Sequence, residues 1–320
     1  MNLYELTNPQ KSIWLTEQFY KGTAVNNICG TVLIDEEIAF DKLIDAINIF
    51  IRDNDSFRIH IVLDKDGNAK QYFGDYSPSE FTVVTLQDQN ELSNLEHEMA
   101  NIPFDIFDNN LYNFQLFKFK DNKGGFVLNT HHLIADACTA GIIASKIVNI
   151  YSSLIKNEPI TEIPTSYINY INSENEYLNS NKFIKDKEYW EENFKSSFDL
   201  ASLSTYNLDT SSHCNCDANR KVFVLKKRQV KAIENYCKKN NFSLFNFFMA
   251  IYALYIGKVR NLKHFVLGTP ILNRTTFGEK HTPGMFISTV PFYFNLEGNP
   301  TFKDFITSIT VQTIGMFRHQ

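Results

Sequence analysis

Apolar residues recur along this chain with two different periods, and their alternation outlines a series of helices and strands. In "AFDKLIDAINIFIRDN", Phe40, Leu43, Ile44, Ile47, Phe50 and Ile51 fall three and four residues apart, which places them on one helical face. Upstream, Thr7 and Gln10 have capping-box spacing and Pro9 suits a first helical turn, so a helix is predicted from about Asn8 to Phe19. "GTVLI" reads as a strand. "SFRIHIVL" reads as another, after a break at Asn54 and Asp55, with "GNAKQYF" as its hairpin return. "ELSNLEHEMANIPFDIF" is a helix ended by Pro103. "YNFQLFKFK" and "GFVLNT" flank the turn-rich "DNKGG". Ile143, Ile147, Ile150, Tyr151 and Leu154 then repeat at helical spacing, so that helix buries one side against a sheet.

From Glu158 to about Arg220 the chain turns polar, with surface helices at "SYINYINSENEYL" and "KFIKDKEYWEENF"; the boundary between two lobes is expected here. Beyond it come a strand ("KVFVL"), a helix ("QVKAIENYCKKN") and "SLFNFFMAIYALYIG", capped by Ser243 and apolar nearly all round, hence predicted to be buried. Strands "HFVLGTP" and "MFISTVPFYF" and helix "FKDFITSITVQTIGMF" complete the pattern. Strands and helices without strict alternation predict an α+β architecture.

The net charge of −5 is spread through 320 residues, and no basic face marks a nucleic-acid partner. "MNLYELTNPQKSIW" has no signal-peptide pattern, and "LFNFFMAIYALYIG" is too short to span a bilayer, so no membrane partner is expected. Five cysteines do not form a disulfide framework, and "CNC" at Cys214 to Cys216 lacks the spacing of a zinc site; a reducing, cytoplasmic setting without bound metal is expected.

The chemistry-bearing stretch is "NTHHLIADACTAG", Asn129 to Gly141, between a strand and a helix. A histidine titrating near 6.5 suits general-base work. Two readings stay open on these residues alone: chemistry at the histidines, or a loop in which they cap a strand and Asp136 is the helix N-cap. Cys138 reads as a small residue in the first helical turn.

"HHLIADACTAG" resembles the HHxxxDG signature of nonribosomal peptide synthetase condensation domains, which share the chloramphenicol acetyltransferase-like, CoA-dependent acyltransferase fold. Further segments resemble that family in the same order: "TNPQKSIWL" its SxAQxRLWxL opening, "RDNDSFRIHI" its RHExLRTxF segment with Arg58 kept, and "NIPFDIFDNNLY" its PFDL stretch. "SYINYINSENEYL" weakly matches a YxDFAxW segment, and "GTPILNR" and "PGMFISTVPF" match the surroundings of GxFVNT. Three positions depart: Ala137 replaces the motif glycine, Arg52 falls one place early with Asp53 aligned, and Ser288 replaces the asparagine of GxFVNT. Histidines in place of aspartates disfavour a heterocyclisation domain. The absence of a Ser-Trp pair after the motif disfavours an epimerisation domain.

The resemblance implies two acetyltransferase-like lobes in a V, each a mixed sheet packed with helices. The first is expected at 1–175 and carries HHxxxD; the second, at 176–320, lacks the family's later strands. Starting at Met1, the chain is expected to stand at the start of a synthetase polypeptide, taking either an acyl starter or an upstream peptide. The implied enzyme joins a carrier-bound acyl or peptidyl donor to a carrier-bound aminoacyl acceptor through an amide bond. Implied partners are donor and acceptor peptidyl carrier proteins and an adenylation domain, with a monomeric chain. Phosphopantetheine arms serve as tethered substrates and no cofactor is bound. The implied catalytic set is His132, His131 and Asp136, with His132 the base or amine positioner and His131 structural in character. Arg58 is the implied partner of Asp136, and Ala137, Gly141, Ser288 and Thr289 are implied to line the substrate tunnel. The alternatives are a stand-alone acyltransferase using CoA or carrier thioesters, and a non-catalytic, partner-recruiting relative.

Overall fold

The computed structural model describes residues 2–195, 199–200 and 220–320; the "CNC" segment lies outside them. Contacts divide the chain into two compact units, residues 1–178 with 272–288, and residues 179–271 with 289–320. A single cut at 175 therefore misses one feature. Residues 272–288, expected in the second lobe, belong to the first unit, because Arg274 and Phe286 are bonded and packed there.

In the first unit, β1 (Tyr4–Glu5) precedes α1 (Asn8–Phe19) and β2 (Asn27–Ile34). The capping box is present: the Thr7 hydroxyl accepts from Gln10 N–H, and the Gln10 side-chain oxygen accepts from Thr7 N–H. Then come α2 (Phe40–Asp53), β3 (Ile59–Leu63), β4 (Ala69–Phe73), β5 (Val83–Thr85) and α3 (Gln89–Ala100). β6 (Tyr112–Lys118), β7 (Gly124–His131), α4 (Ala137–Lys156) and α5 (Tyr167–Leu178) complete this stretch. The predicted strand "SFRIHIVL" starts late: Asp55–Arg58 forms a 3-10 turn, since the Asp55 carboxylate accepts hydrogen bonds from the Ser166 hydroxyl and the Tyr167 N–H and holds the turn closed.

One sheet runs β1-β4-β3, and a second runs β2-β7-β6-β5, antiparallel except for the β5–β6 pair. All eight residues of β7 are buried and the strand is paired along both edges, so the backbone that ends in the histidine pair is firmly held. The apolar face of α2 packs with Ile143, Ile147 and Ile150 of α4 over this sheet. By length and composition α4 could cross a membrane; one stripe of it is buried against α2 and the sheet, and its buried Lys146 donates to Asn54 Oδ1 at 2.9 Å.

The second unit holds α6 (Asn181–Asn193), β8 (Asp199–Leu200), α7 (Lys227–Asn240), α8 (Leu244–Arg260) and β9 (His264–Ile271). After the short α9 (Phe277–His281) of the first unit come β10 (Ser288–Asn295) and α10 (Phe302–Arg318). Its sheet order is β10-β9-β8.

Three expectations fail around this unit. "KVFVL" is not a strand: Val222, Phe223 and Val224 are 75, 85 and 89% exposed. Strand-forming residues need a neighbouring ladder, and none of the described strands supplies one. The helix α8 is only half buried. Ala250, Ala253 and Ile256 face the core, whereas Phe245, Phe248, Tyr252 and Tyr255 are exposed, because within its unit the helix packs on one side, against α7 and α10. The strand read from "MFISTVPFYF" begins only at Ser288, because the backbone of Met285 and Phe286 is bonded to Tyr167 and Asp136 instead.

Candidate active site

The segment between β7 and α4 is short and firmly anchored. His131 N–H donates to the Leu111 carbonyl at 2.9 Å and His132 N–H to the Asn26 carbonyl at 2.8 Å. Leu133 and Ile134 sink fully into a cluster with Leu6, Ile59 and Tyr167. The Gln10 side chain, in the first turn of α1, donates to the Leu133 carbonyl at 3.0 Å. Backbone bonds and apolar packing together anchor the loop, as positioning a reacting group requires.

His131 turns inward. Its Nδ1 accepts from Leu133 N–H at 3.1 Å, so Nε2 carries the proton and faces Glu17 Oε2 at 3.3 Å. Asn26 donates to the same Glu17 oxygen at 2.7 Å. Burial pushes the Glu17 carboxyl up, but the His131 and Asn26 hydrogen bonds outweigh it and hold the group below its ordinary range. With both ring nitrogens engaged, His131 is part of the framework.

Asp136 is also consumed by structure. Fully buried, it caps α4: Oδ1 accepts from Thr139 N–H at 2.9 Å and lies 3.0 Å from the Thr139 hydroxyl. The same oxygen accepts from Arg274 Nη2 at 3.0 Å, and Oδ2 accepts from Phe286 N–H at 3.1 Å. Arg274 also stacks over the Phe286 ring at 3.9 Å. Gly284 completes this staple, its backbone bonded to the Thr139 hydroxyl; a Cβ there would come within 2.5 Å of the Tyr167 ring. The carboxylate thus ties residues 272–288 to the start of α4, serving both as N-cap and as ion-pair partner.

Arg58 is not its partner. It donates Nε to the Gly74 carbonyl at 3.0 Å and Nη1 to the Ile51 and Arg52 carbonyls at 2.8 and 2.5 Å. Placed in the 3-10 turn just past α2, it meets the orphan carbonyls and negative dipole end of that helix first. The partner role falls to Arg274, the last residue of the "GTPILNR" segment. Sequence reading also passed over Glu17, Asn26 and Thr139. Arg274 was the one with a signal, a charge closing an apolar strand.

His132 differs from its neighbours. Its Nδ1 is buried with no hydrogen-bond partner, while the residue as a whole is only partly buried. Desolvation holds the imidazole below its ordinary value of 6.5, against smaller opposing effects from neighbouring backbone and Asp136. A ring held neutral, with a nitrogen not committed to the framework, is equipped to take a proton. Ala137 and Gly141 lie exposed on the first turns of α4, and a Cβ on Gly141 would meet nothing within 4 Å. Ser288 opens β10 half-exposed and belongs to the first unit; Thr289, exposed, begins the part of β10 in the second.

The α+β scaffold thus holds a histidine pair at the end of a buried strand and a stapled aspartate at the start of the next helix. The sequence profile described as Condensation domain matches residues 1–320, and the chain belongs to that family. It is 33% identical to surfactin synthase subunit 1 of Bacillus subtilis (strain 168), covering 100% of this chain and 9% of that protein. It is 21% identical to gramicidin S synthase 2 of Brevibacillus brevis, over 99% of this chain and 7% of that one. The chain thus spans less than a tenth of the length of these curated relatives. Among solved structures, the first condensation domain of the calcium-dependent antibiotic synthetase, in complex with a substrate analogue, superposes with a TM-score of 0.85. That match is at 15% identity and covers all of this chain and 75% of that one. A variant of the starter condensation domain of rhizomide synthetase RzmA in complex with C8-CoA gives 0.82 at 21% identity, over 100% and 72% of the two chains. The fold is the chloramphenicol acetyltransferase-like fold of condensation domains.

Proposed function

We propose that this domain forms an amide bond, transferring an acyl group from a thioester donor to the amine of an aminoacyl thioester acceptor. The acceptor nitrogen bonds to the donor carbonyl carbon, the carbon–sulfur bond breaks, and the proton lost by nitrogen passes through His132 to the departing thiolate. The donor and acceptor are held on phosphopantetheine arms of carrier proteins, and an adenylation domain charges the acceptor, in keeping with relatives that are peptide synthetases. Asp136 and Arg274 hold the loop, and His131 supports the backbone that aims His132. The observation that carries this reading is the asymmetry of the histidine pair: His131 has both nitrogens bonded, whereas His132 is kept neutral with its Nδ1 unpartnered.

The test offers one acyl group as a carrier-bound thioester and as a CoA thioester, with an aminoacyl carrier as acceptor, and follows product by mass spectrometry. Amide formation from the carrier-bound donor is expected. Turnover of CoA donors alone, onto a free alcohol or amine, would replace this reading with a stand-alone acyltransferase.

A further inference from the structure

Two fully buried glutamines, neither of them in the histidine motif, are linked to the histidine loop. Gln71 is the middle residue of β4, the central strand of its sheet, paired with Tyr4 of β1 and Ile61 of β3. Gln10 stands in the first turn of α1. Their carboxamides bond reciprocally. Gln10 Nε2 donates to Gln71 Oε1 at 2.9 Å, and Gln71 Nε2 donates to Gln10 Oε1 at 2.8 Å. Each amide has one further N–H. That of Gln71 goes to the Glu5 carbonyl at 2.8 Å, and that of Gln10 to the Leu133 carbonyl at 3.0 Å. Gln10 Oε1 also accepts from Thr7 N–H at 2.9 Å. All four amide hydrogens thus have acceptors, and neither amide can turn over without bringing oxygen against oxygen.

This chain of bonds ends at one residue. Leu133 follows His132; its N–H donates to His131 Nδ1 at 3.1 Å and its carbonyl is held by Gln10. With His132 N–H on the Asn26 carbonyl, the backbone is fixed on both sides of the reacting residue. Neutral hydrogen bonds of this kind add little net stability, because the unfolded chain makes comparable bonds with water. What the pair adds is direction. A satisfied buried network specifies one arrangement of the groups it joins, where apolar side chains of the same shape would only fill the space.

We infer that Gln10 and Gln71 are positioning residues for amide formation. Gln71 fixes which way the Gln10 amide points, and the Gln10 N–H fixes the Leu133 peptide and through it the His132 ring. The inference rests on the acyl-transfer reading and adds to it two residues that act through the loop.

The experiment makes the same near-isosteric exchange at each end of the pair. A buried glutamate stays protonated, and its one acid proton replaces the N–H of the reciprocal bond but not the second N–H. Gln71→Glu therefore keeps the Gln10 amide in place and gives up only the bond to the Glu5 carbonyl. Gln10→Glu keeps the pair and gives up the bond to the Leu133 carbonyl. Gln71→Met removes the anchor of Gln10 altogether. For each folded variant, kcat and KM for amide formation from carrier-bound thioesters are measured, together with the His132 ring proton signals by nuclear magnetic resonance. Gln10→Glu and Gln71→Met should lose about tenfold or more in kcat at nearly native KM, with displaced His132 signals, since a small misplacement of a reacting group is costly. Gln71→Glu should keep nearly native kcat and native signals. Two glutamate variants alike in kcat and in ring signals overturn the assignment, as does a folded Gln71→Met protein with native kcat. Should Gln71→Met fail to fold, the two glutamate variants still decide. A native protein that forms no amide from any thioester overturns the acyl-transfer reading instead, and the ring signals then decide the role of the pair.

Discussion

The two ends of the motif and its second residue were built for different ends. At His131 and Asp136 every available side-chain nitrogen or oxygen is committed to a partner within the first unit. At His132, one residue from the first and four from the second, ring Nδ1 has no partner and the residue is only partly buried. Saturated groups hold a loop, and an unsatisfied group in a held loop is free to react. In this motif, most of what makes the pattern recognisable serves the architecture, and one imidazole is left for chemistry.

The largest effect that sharpens this contrast is expected at the staple. Asp136→Ala takes the one carboxylate from the buried Arg274, whose Nε and Nη1 are already unpartnered, and leaves it only the neutral Thr139 hydroxyl, the Gly284 carbonyl and the Phe286 ring; it should cost about 3–5 kcal/mol in chemical denaturation. Arg274→Ala should behave alike, and the double variant should lose less than the sum, with a coupling of about 0.5–3 kcal/mol. Full additivity would break the assignment of Arg274 as the partner. Next comes Arg58→Ala, expected to cost about 2 kcal/mol through the exposed α2 carbonyls. Its effect should add to that of Asp136→Ala, since the two residues share no partner.

Smaller effects appear on titration. The folded-state value of His132 lies below its ordinary 6.5, so below that pH the unfolded chain binds more protons and stability falls as pH drops. Nuclear magnetic resonance of the ring should place its midpoint under 6.5, and His132→Ala should remove that slope. Glu17, also lowered, contributes stability that is present above its ordinary 4.5 and is lost as pH falls through its lower folded value. Glu17→Gln should flatten the stability curve in that acidic range alone.

Local signals carried much of this architecture. The capping box at Thr7 and Gln10, the apolar stripe of α2, the hairpin around "DNKGG" and the N-cap at Asp136 are all encoded within a few residues, and each forms as the pattern predicts. Long-range choices were not legible. Arg274 lies 138 residues beyond Asp136, whereas Arg58 is nearer in sequence and was captured by the helix end beside it. Apolar composition alone suggested that α8 was surrounded and that "KVFVL" was paired, but burial and pairing depend on what neighbours an element has. The histidine pair could be located from sequence, yet deciding which ring reacts required seeing which one had partners.

The central claim is that His132 does chemistry and does not hold the fold, and replacing it tests this most directly. His132→Ala should unfold at the native midpoint while amide formation from a carrier-bound thioester falls by about 10² to 10⁴. A folded His132→Ala protein that keeps native turnover would contradict the account.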